Sequence, residues 1–148
     1  MIVDTRTGPV ISTPSQTAYK LLHFTFVALP ILVGLDKFFH ILVNWDMYLA
    51  PSIGSHAPIS PHNVMLLVGV IEIIAGLIVA VMPRFGGYLV AVWLWAVIID
   101  LMLIPGYGYY DIAVRDFFLS LSAIALAELS RGDSPVIHSG GETRPVES

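Results

Sequence analysis

Lys37 and Glu72 are a base and an acid that each lie within a long apolar stretch of the chain. An unpaired charge in hydrocarbon costs several kcal/mol, so ionisable side chains at membrane depth pair with one another and mark sites for ligands or protons. Counted from the nearest polar loop at about 1.5 Å per residue, the two residues differ in depth by roughly 3 Å. We therefore predict an ion pair between Lys37 and Glu72, able to relay a proton or to donate a hydrogen bond.

Asp36 and His40 are polar neighbours of Lys37 on the same predicted helix. Asp36 and His40 are four residues apart and Lys37 and His40 three apart, which are the spacings of side chains that meet on one helical face. We therefore include Asp36 and His40 with Lys37 and Glu72 in one predicted ligand or proton site.

A second group of charges lies nearer the ends of the apolar stretches. Asp100 and Arg115 are at nearly equal depth, so we predict an ion pair between them, with Asp116 beside it. Charges this shallow reach water easily, which favours a structural role. The acids within the apolar stretches are Asp36, Glu72, Asp100 and Asp116. They outnumber Lys37 and Arg115, so a protonated acid, a cation or a hydrogen-bonding ligand is expected to complete the site.

The five histidines do not form a short-spaced ligand motif. His23 and His40 lie about 25 Å apart along one helix, too far to share one iron. His40 and His62 could meet across two helix ends, but no His-x-x-x-His or Glu-x-x-His spacing supports a site. The chain has no cysteine, which excludes covalently attached haem and iron–sulfur ligation. We expect no haem or metal site.

Four apolar segments must position these side chains. The chain is 56% hydrophobic and 12% charged, whereas a soluble domain is roughly 25% charged. The segments at about 18–44, 63–82, 87–104 and 112–130 are long enough to cross about 30 Å of hydrocarbon. Because their connections are short, we predict an all-α fold, a transmembrane antiparallel four-helix bundle over residues 18–130. Residues 1–17 and 131–148 are predicted polar tails.

The basic residues outside the apolar segments predict the orientation of the bundle. They lie before the first segment, in the turn after the second and after the fourth: Arg6, Lys20, Arg84, Arg131 and Arg144. The loops at 45–62 and 105–111 carry no Lys or Arg. The positive-inside rule then places both termini in the cytoplasm. No basic stripe is present, so no nucleic-acid partner is expected.

Two stretches, LPILVGLDKFFHILVNW from residue 29 and IEIIAGLIVAVMPRFGGYL from residue 71, resemble the DoxX-like family of small four-helix bacterial membrane proteins. The resemblance covers about residues 20–130 and rests on Gly34, Leu35, Lys37, Glu72, Gly76 and Arg84. It implies the bacterial inner membrane, a role beside quinone-linked oxidoreductases, and Lys37, Glu72 and Arg84 as family polar positions. Asp36, His40 and Asp100 match no family pattern.

Three functions fit these residues. The preferred one is a non-catalytic accessory subunit of a redox or respiratory complex, anchored in the bilayer beside other membrane subunits, where Lys37 and His40 contact a quinone and Glu72 relays protons. The second is a proton-coupled small-solute carrier or binding protein that uses Glu72 as its titrating group. The third is a purely structural packing subunit, in which the buried charges fix helix register.

Overall fold

The computed structural model describes residues 13–106 and 108–132, which fold into helices connected by short loops. The elements are α1 (Pro14–Phe39), a 3₁₀ helix (Trp45–Tyr48), α2 (Pro51–His56), α3 (Pro61–Val81), α4 (Pro83–Leu103) and α5 (Tyr110–Leu129). The all-α prediction is confirmed for this part of the chain. Most of both predicted tails, residues 1–12 and 133–148, lies outside the described residues.

Capping residues and prolines mark the N-terminal ends of the helices. The side chain of Thr13 accepts a hydrogen bond from the backbone N–H of Gln16, and the Gln16 side chain accepts one from the N–H of Thr13. This capping box satisfies two N–H groups that have no partner inside a helix. A proline stands in the first turn of four helices, where its missing N–H costs nothing: Pro14, Pro51, Pro61 and Pro83. The first helix therefore starts at Pro14, inside the segment predicted as a polar tail.

Helices α1, α3 and α4 are each long and apolar enough to cross a membrane. Their apolar surfaces indicate a lipid bilayer as the environment of the chain. The helix α5 is 20 residues long, but it carries four charged residues: Asp111, Arg115, Asp116 and Glu128. Three crossings are thus supported within the described residues, and a fourth crossing by α5 stays a prediction.

The four long helices run antiparallel to their neighbours, with α1 packed along α3 and α4 packed along α5. Glycine permits the closest approach in the first pair, because a Cβ added to Gly34 would lie 2.6 Å from the carbonyl oxygen of Gly69. In the second pair, a Cβ on Gly87 would lie 2.6 Å from the carbonyl oxygen of Ala123. Small residues at such crossings are typical of helices that pack within membranes.

The two ends of this helix assembly differ. We call the end with residues 40–60 the connection end, and the end with Met82 and Pro83 the turn end. The half nearer the turn end holds a buried apolar core made of Phe26, Ala75, Val79, Val90, Ala91, Ala123 and Leu126. The buried charged residues Asp36 and Lys37 lie on the last turn of α1, at the connection end. A second, smaller apolar cluster of Ile98, Leu101 and Ala113 also lies at the connection end.

A histidine replaces the hydrogen bond that a proline removes at the turn end. Pro83 has no N–H to donate to the carbonyl oxygen of Val79, four residues earlier. The Nε2 atom of His23, on α1, lies 3.0 Å from that oxygen. Since a carbonyl only accepts, the proton of the His23 ring must be on Nε2, and α1 is joined to the last turn of α3.

We expect His23→Ala to destabilise the protein by about 1 kcal/mol, because the Val79 carbonyl loses its donor. His23→Gln, which retains an N–H donor, should recover part of this loss. Thermal unfolding of both variants in the same detergent measures the difference. Equal stability of His23→Ala and the unmodified chain would contradict this role.

Candidate functional site

The predicted ion pair between Lys37 and Glu72 is confirmed. The Nζ atom of Lys37 lies 2.6 Å from Oε2 of Glu72, and the side chains are only 3% and 13% exposed. This contact joins the last turn of α1 to the middle of α3.

The glycine contact between α1 and α3 explains how the two side chains meet. Lys37 lies one turn beyond Gly34 toward the connection end, and Glu72 lies one turn beyond Gly69 toward the turn end. Side chains of a helix lean toward its N-terminus, so on antiparallel helices these two lean toward each other. A Cβ at Gly69 would lie 3.1 Å from the Cβ of Lys37, and one at Gly34 would lie 3.2 Å from the Cβ of Glu72. The pair therefore flanks the glycines directly.

An indole ring covers the ammonium group. The Nζ atom of Lys37 lies 4.0 Å from the ring centroid of Trp45, a distance at which a cation is attracted to the aromatic face. The indole Nε1–H of Trp45 donates to Oδ2 of Asp36 at 2.7 Å, which fixes the ring in place. Trp45 was not among the predicted site residues. Its contact with Lys37 depends on how the chain turns after α1.

Asp36 organises that turn. Helix α1 ends at His40, whose φ of 52° is left-handed and whose N–H donates to the Asp36 carbonyl oxygen. The Asp36 carboxylate then accepts from the N–H groups of Ile41 and Leu42 at 3.0 to 3.1 Å, besides Trp45. The predicted first segment, which continued to about residue 44, therefore leaves the helix at this point. Asp36 is a structural cap, and its charge is balanced by N–H donors.

His40 does not share a face with Asp36 and Lys37 in the way that helical spacing predicted. Because its backbone is left-handed, the ring lies instead against the 3₁₀ helix and the start of α3. Its Nε2 is 3.9 Å from Oδ1 of Asp46, and its ring stacks on that of His62 with centroids 5.6 Å apart. His62 Nδ1 lies 3.0 Å from Oδ2 of Asp46. Asp46 was not among the predicted site residues, because it follows the apolar stretch.

Glu72 has two further neighbours that depth counting did not identify. The indole Nε1–H of Trp93, on α4, is buried and has no hydrogen-bond partner among the described residues. It interacts electrostatically with the Glu72 carboxylate without reaching hydrogen-bond geometry, and Asp116 on α5 is near enough to repel that carboxylate. Residues of four helices thus meet around Glu72. Trp93 stands in an apolar run, so nothing in the sequence distinguished it from a core or lipid-facing residue.

The predicted ion pair between Asp100 and Arg115 is wrong. Arg115 contacts its neighbour Asp116 instead, with both Nε and one terminal nitrogen 3.2 Å from Oδ1. Oδ1 of Asp100 accepts the N–H of Ala50 at 2.9 Å, at the start of α2. Equal depth does not make two side chains face each other, since depth says nothing about rotation around the helix axes. Asp100 therefore anchors the start of α2 and makes no ion pair with any residue in 13–106 or 108–132, while Arg115 and Asp116 pair with each other on α5.

Arg84 lies at the turn end, far from the Lys37–Glu72 pair. Glu72 is roughly 14 Å along α3 from Val81, the last residue of that helix, and Arg84 lies after it in the first turn of α4. Arg84 lines a surface depression together with residues that include Phe85 and Tyr88. Tyr88 donates a hydrogen bond to Glu128 nearby. Arg84 therefore does not belong to the same site as Lys37 and Glu72.

Comparisons with protein-family models, with curated proteins and with solved structures gave no significant match. The resemblance to the DoxX-like family stays a prediction. Function must therefore be argued from the chemistry of the site itself.

Proposed function

We propose that this protein is a small integral membrane subunit of a redox or respiratory complex in the bacterial inner membrane. In this proposal four helices cross the bilayer, both termini are cytoplasmic, and the connection end faces outward. The group around Lys37 and Glu72 then lies in the outer half of the membrane. We assign it to contact with a quinone headgroup that enters from lipid or from a partner subunit.

The buried N–H of Trp93 is the observation that carries the proposal. Buried donors in folded proteins nearly always have a hydrogen-bonded acceptor, whereas the Trp93 N–H approaches the Glu72 carboxylate without a hydrogen bond and so could donate to a ligand. A quinone carbonyl is an acceptor without charge, which suits a site already occupied by a paired ammonium and carboxylate. Quinone sites also need apolar walls with a few placed polar groups. Trp93 would supply the donor, and Glu72 would supply a proton acceptor beside it.

The fourth crossing is supported by how α5 distributes its charges. Asp111 is at the connection end and Glu128 at the turn end, where each can reach water. Asp116 is buried against the other helices, and Arg115 is 65% exposed, with a side chain long enough to snorkel. The remaining outward surface of α5 is apolar, with Phe118 and Val114 both exposed.

The proton-coupled carrier gains no comparable support. A carrier needs a path from Glu72 to the opposite side of the membrane. Between Glu72 and the turn end lies the apolar core around Phe26, Val79 and Leu126, whose buried members are all apolar. The titratable side chains that contact it, Tyr19 and His23, lie on the part of α1 nearer the turn end. In the purely structural alternative, the Trp93 N–H would do no more than approach the Glu72 carboxylate without a hydrogen bond. We therefore prefer the quinone-contacting subunit.

Purification from native membranes in a mild detergent tests the proposal. We expect partner subunits and about one quinone per chain to co-purify, and Trp93→Phe to lose most of the quinone while keeping the partners. Trp95→Phe is the matched control, because Trp95 is 47% exposed and packs edge-on against Phe117. It should retain quinone. A chain that purifies alone and without quinone would refute the proposed function.

A further inference from the structure

The geometry points to a binding site for one divalent transition-metal ion of the zinc class, formed by His40, Asp46 and His62. The three residues come from three segments that meet at the connection end: the residue that ends α1, the 3₁₀ helix and the first turn of α3. This site is separate from the Lys37–Glu72 group and does not depend on the proposed quinone function. It also departs from the expectation, based on spacing alone, that the chain has no metal site.

The distances fit a metal with three protein ligands. One ligand atom from each residue can be chosen so that all three lie within 4.8 Å of one another. Zinc binds imidazole nitrogen and carboxylate oxygen at about 2.0–2.2 Å in tetrahedral geometry, which places ligand atoms about 3.4 Å apart. With Oδ1 of Asp46 as the carboxylate ligand, its separations of 3.3 Å from Nδ1 of His62 and 3.9 Å from Nε2 of His40 lie on either side of that value. Small side-chain rotations would complete the site.

The Nε2 atom of His40 provides independent evidence for a ligand. This nitrogen is buried and has no hydrogen-bond partner among the described residues. An imidazole nitrogen left alone in a protein interior is costly, because it has lost water without a replacement. It lies toward Asp46, whose carboxylate is too far for a hydrogen bond but near enough to share a metal ion. A metal between them would satisfy the nitrogen.

The backbone already holds the ligands in position. The Asp36 carboxylate fixes the turn after His40, and the Asn44 side chain accepts the N–H of Asp46 to begin the 3₁₀ helix. His40 is at the C-terminal end of α1, where the helix dipole favours a cation. His62 is at the start of α3, where the dipole opposes one, so the Asp46 carboxylate is needed for charge balance. Ligands fixed before binding lose little entropy when the metal binds.

Two imidazoles and one carboxylate are ligands preferred by zinc and its neighbours in the transition series, while magnesium and calcium prefer oxygen atoms alone. Three protein ligands leave a fourth position for water or for a group from a partner. The bound ion would tie the chain from residue 40 to residue 46 onto α3, directly beside Trp45 and the Lys37–Glu72 pair. Hydrogen bonding between His62 and Asp46 in the metal-free protein would give way to coordination.

Metal titration of the full-length protein in detergent tests this proposal. We expect one Zn²⁺ to bind per chain by calorimetry, and Co²⁺ to give the visible absorption of a tetrahedral site that Zn²⁺ then removes. Mg²⁺ should give no heat. His62→Ala and Asp46→Asn should each weaken Zn²⁺ binding at least about tenfold, because even changes outside the ligand shell cost about 10–100-fold.

The matched control is His56→Ala, which removes a histidine of α2 whose Nδ1 lies 2.7 Å from the Ser52 carbonyl oxygen and which is not a proposed ligand; it should bind Zn²⁺ unchanged. His62→Gln gives a second test if His62→Ala does not fold, as judged by its circular dichroism. No stoichiometric Zn²⁺ binding by the unmodified protein would overturn the proposal. So would binding that survives both His62→Ala and Asp46→Asn, or that the control variant abolishes.

Discussion

Lys37→Met should lower the free energy of unfolding by about 3–5 kcal/mol, because it leaves the Glu72 carboxylate buried without its counter-ion. The side chain of Lys37 is 3% exposed and its ammonium is 2.6 Å from the carboxylate, so water cannot replace the lost charge. The same change also removes the cation that lies over the Trp45 ring. Equilibrium unfolding in mixed micelles measures the loss.

The double variant Lys37→Met/Glu72→Leu should recover most of that stability. Replacing both members of a buried pair by apolar side chains is often neutral, whereas removing one member is not. Lys20→Met is the matched control, because Lys20 is the other lysine of the chain and is exposed on the same helix. It should change stability by no more than about 0.5 kcal/mol. A double variant no more stable than Lys37→Met would show that the Glu72 charge is not the cause.

Gly34→Ala should destabilise the protein by about 1–3 kcal/mol, although alanine is the better helix former. The added Cβ would lie 2.6 Å from the carbonyl oxygen of Gly69 and 2.9 Å from a side-chain carbon of Ile73. A backbone carbonyl cannot rotate away as a side chain does, so α1 and α3 must separate. Thermal unfolding in detergent, compared with the unmodified chain, measures the effect.

Gly54→Ala is the control, and it should have the opposite sign. Gly54 is in the short helix α2, and its added Cβ would be no closer than 3.5 Å to any neighbour outside the local chain. Alanine at such a helical position stabilises by about 0.4–1 kcal/mol, chiefly by restricting the unfolded chain. If both substitutions changed stability equally, the close approach of α1 and α3 would not be what Gly34 provides.

Hydropathy, helix spacing and depth predicted the features that depend only on where a residue lies along its helix axis. The apolar segments predicted α3 to within two residues at each end, whereas α4 begins at Pro83, four residues before the predicted start at 87. Similar depth correctly predicted the contact between Lys37 and Glu72. The same reasoning failed for Asp100 and Arg115, because it does not include the rotation of each helix. Two side chains on different helices form an ion pair only when they lie at similar depth and also point toward each other.

The other contacts at the connection end depend on how the chain turns and how the helices pack, which residue spacing in the sequence does not reveal. In the sequence, Asp36 is one of several acids in a predicted helix. In the structure, its carboxylate accepts hydrogen bonds from the turn that follows this helix and orients Trp45. His40, Asp46 and His62 are six and sixteen residues apart, so no ligand motif joins them. Trp93 becomes distinctive only when α4 is placed against α3. Each of these residues acquires its role from a neighbour on another element.

Gly34 and Gly69 also determine how firmly the two helices keep their relative position. A Cβ at Gly69 would lie 2.7 Å from the carbonyl oxygen of Gly34, and a Cβ at Gly34 would lie 2.6 Å from the carbonyl oxygen of Gly69. Each glycine is therefore in close contact with the backbone of the other. A hydrogen on each glycine Cα therefore points at the carbonyl oxygen of the other, and such Cα–H···O contacts contribute about 0.5–1 kcal/mol each. They are directional, so sliding α1 past α3 by one residue would break both at once. Two residues without side chains thereby hold the charged pair next to them at one level of the membrane.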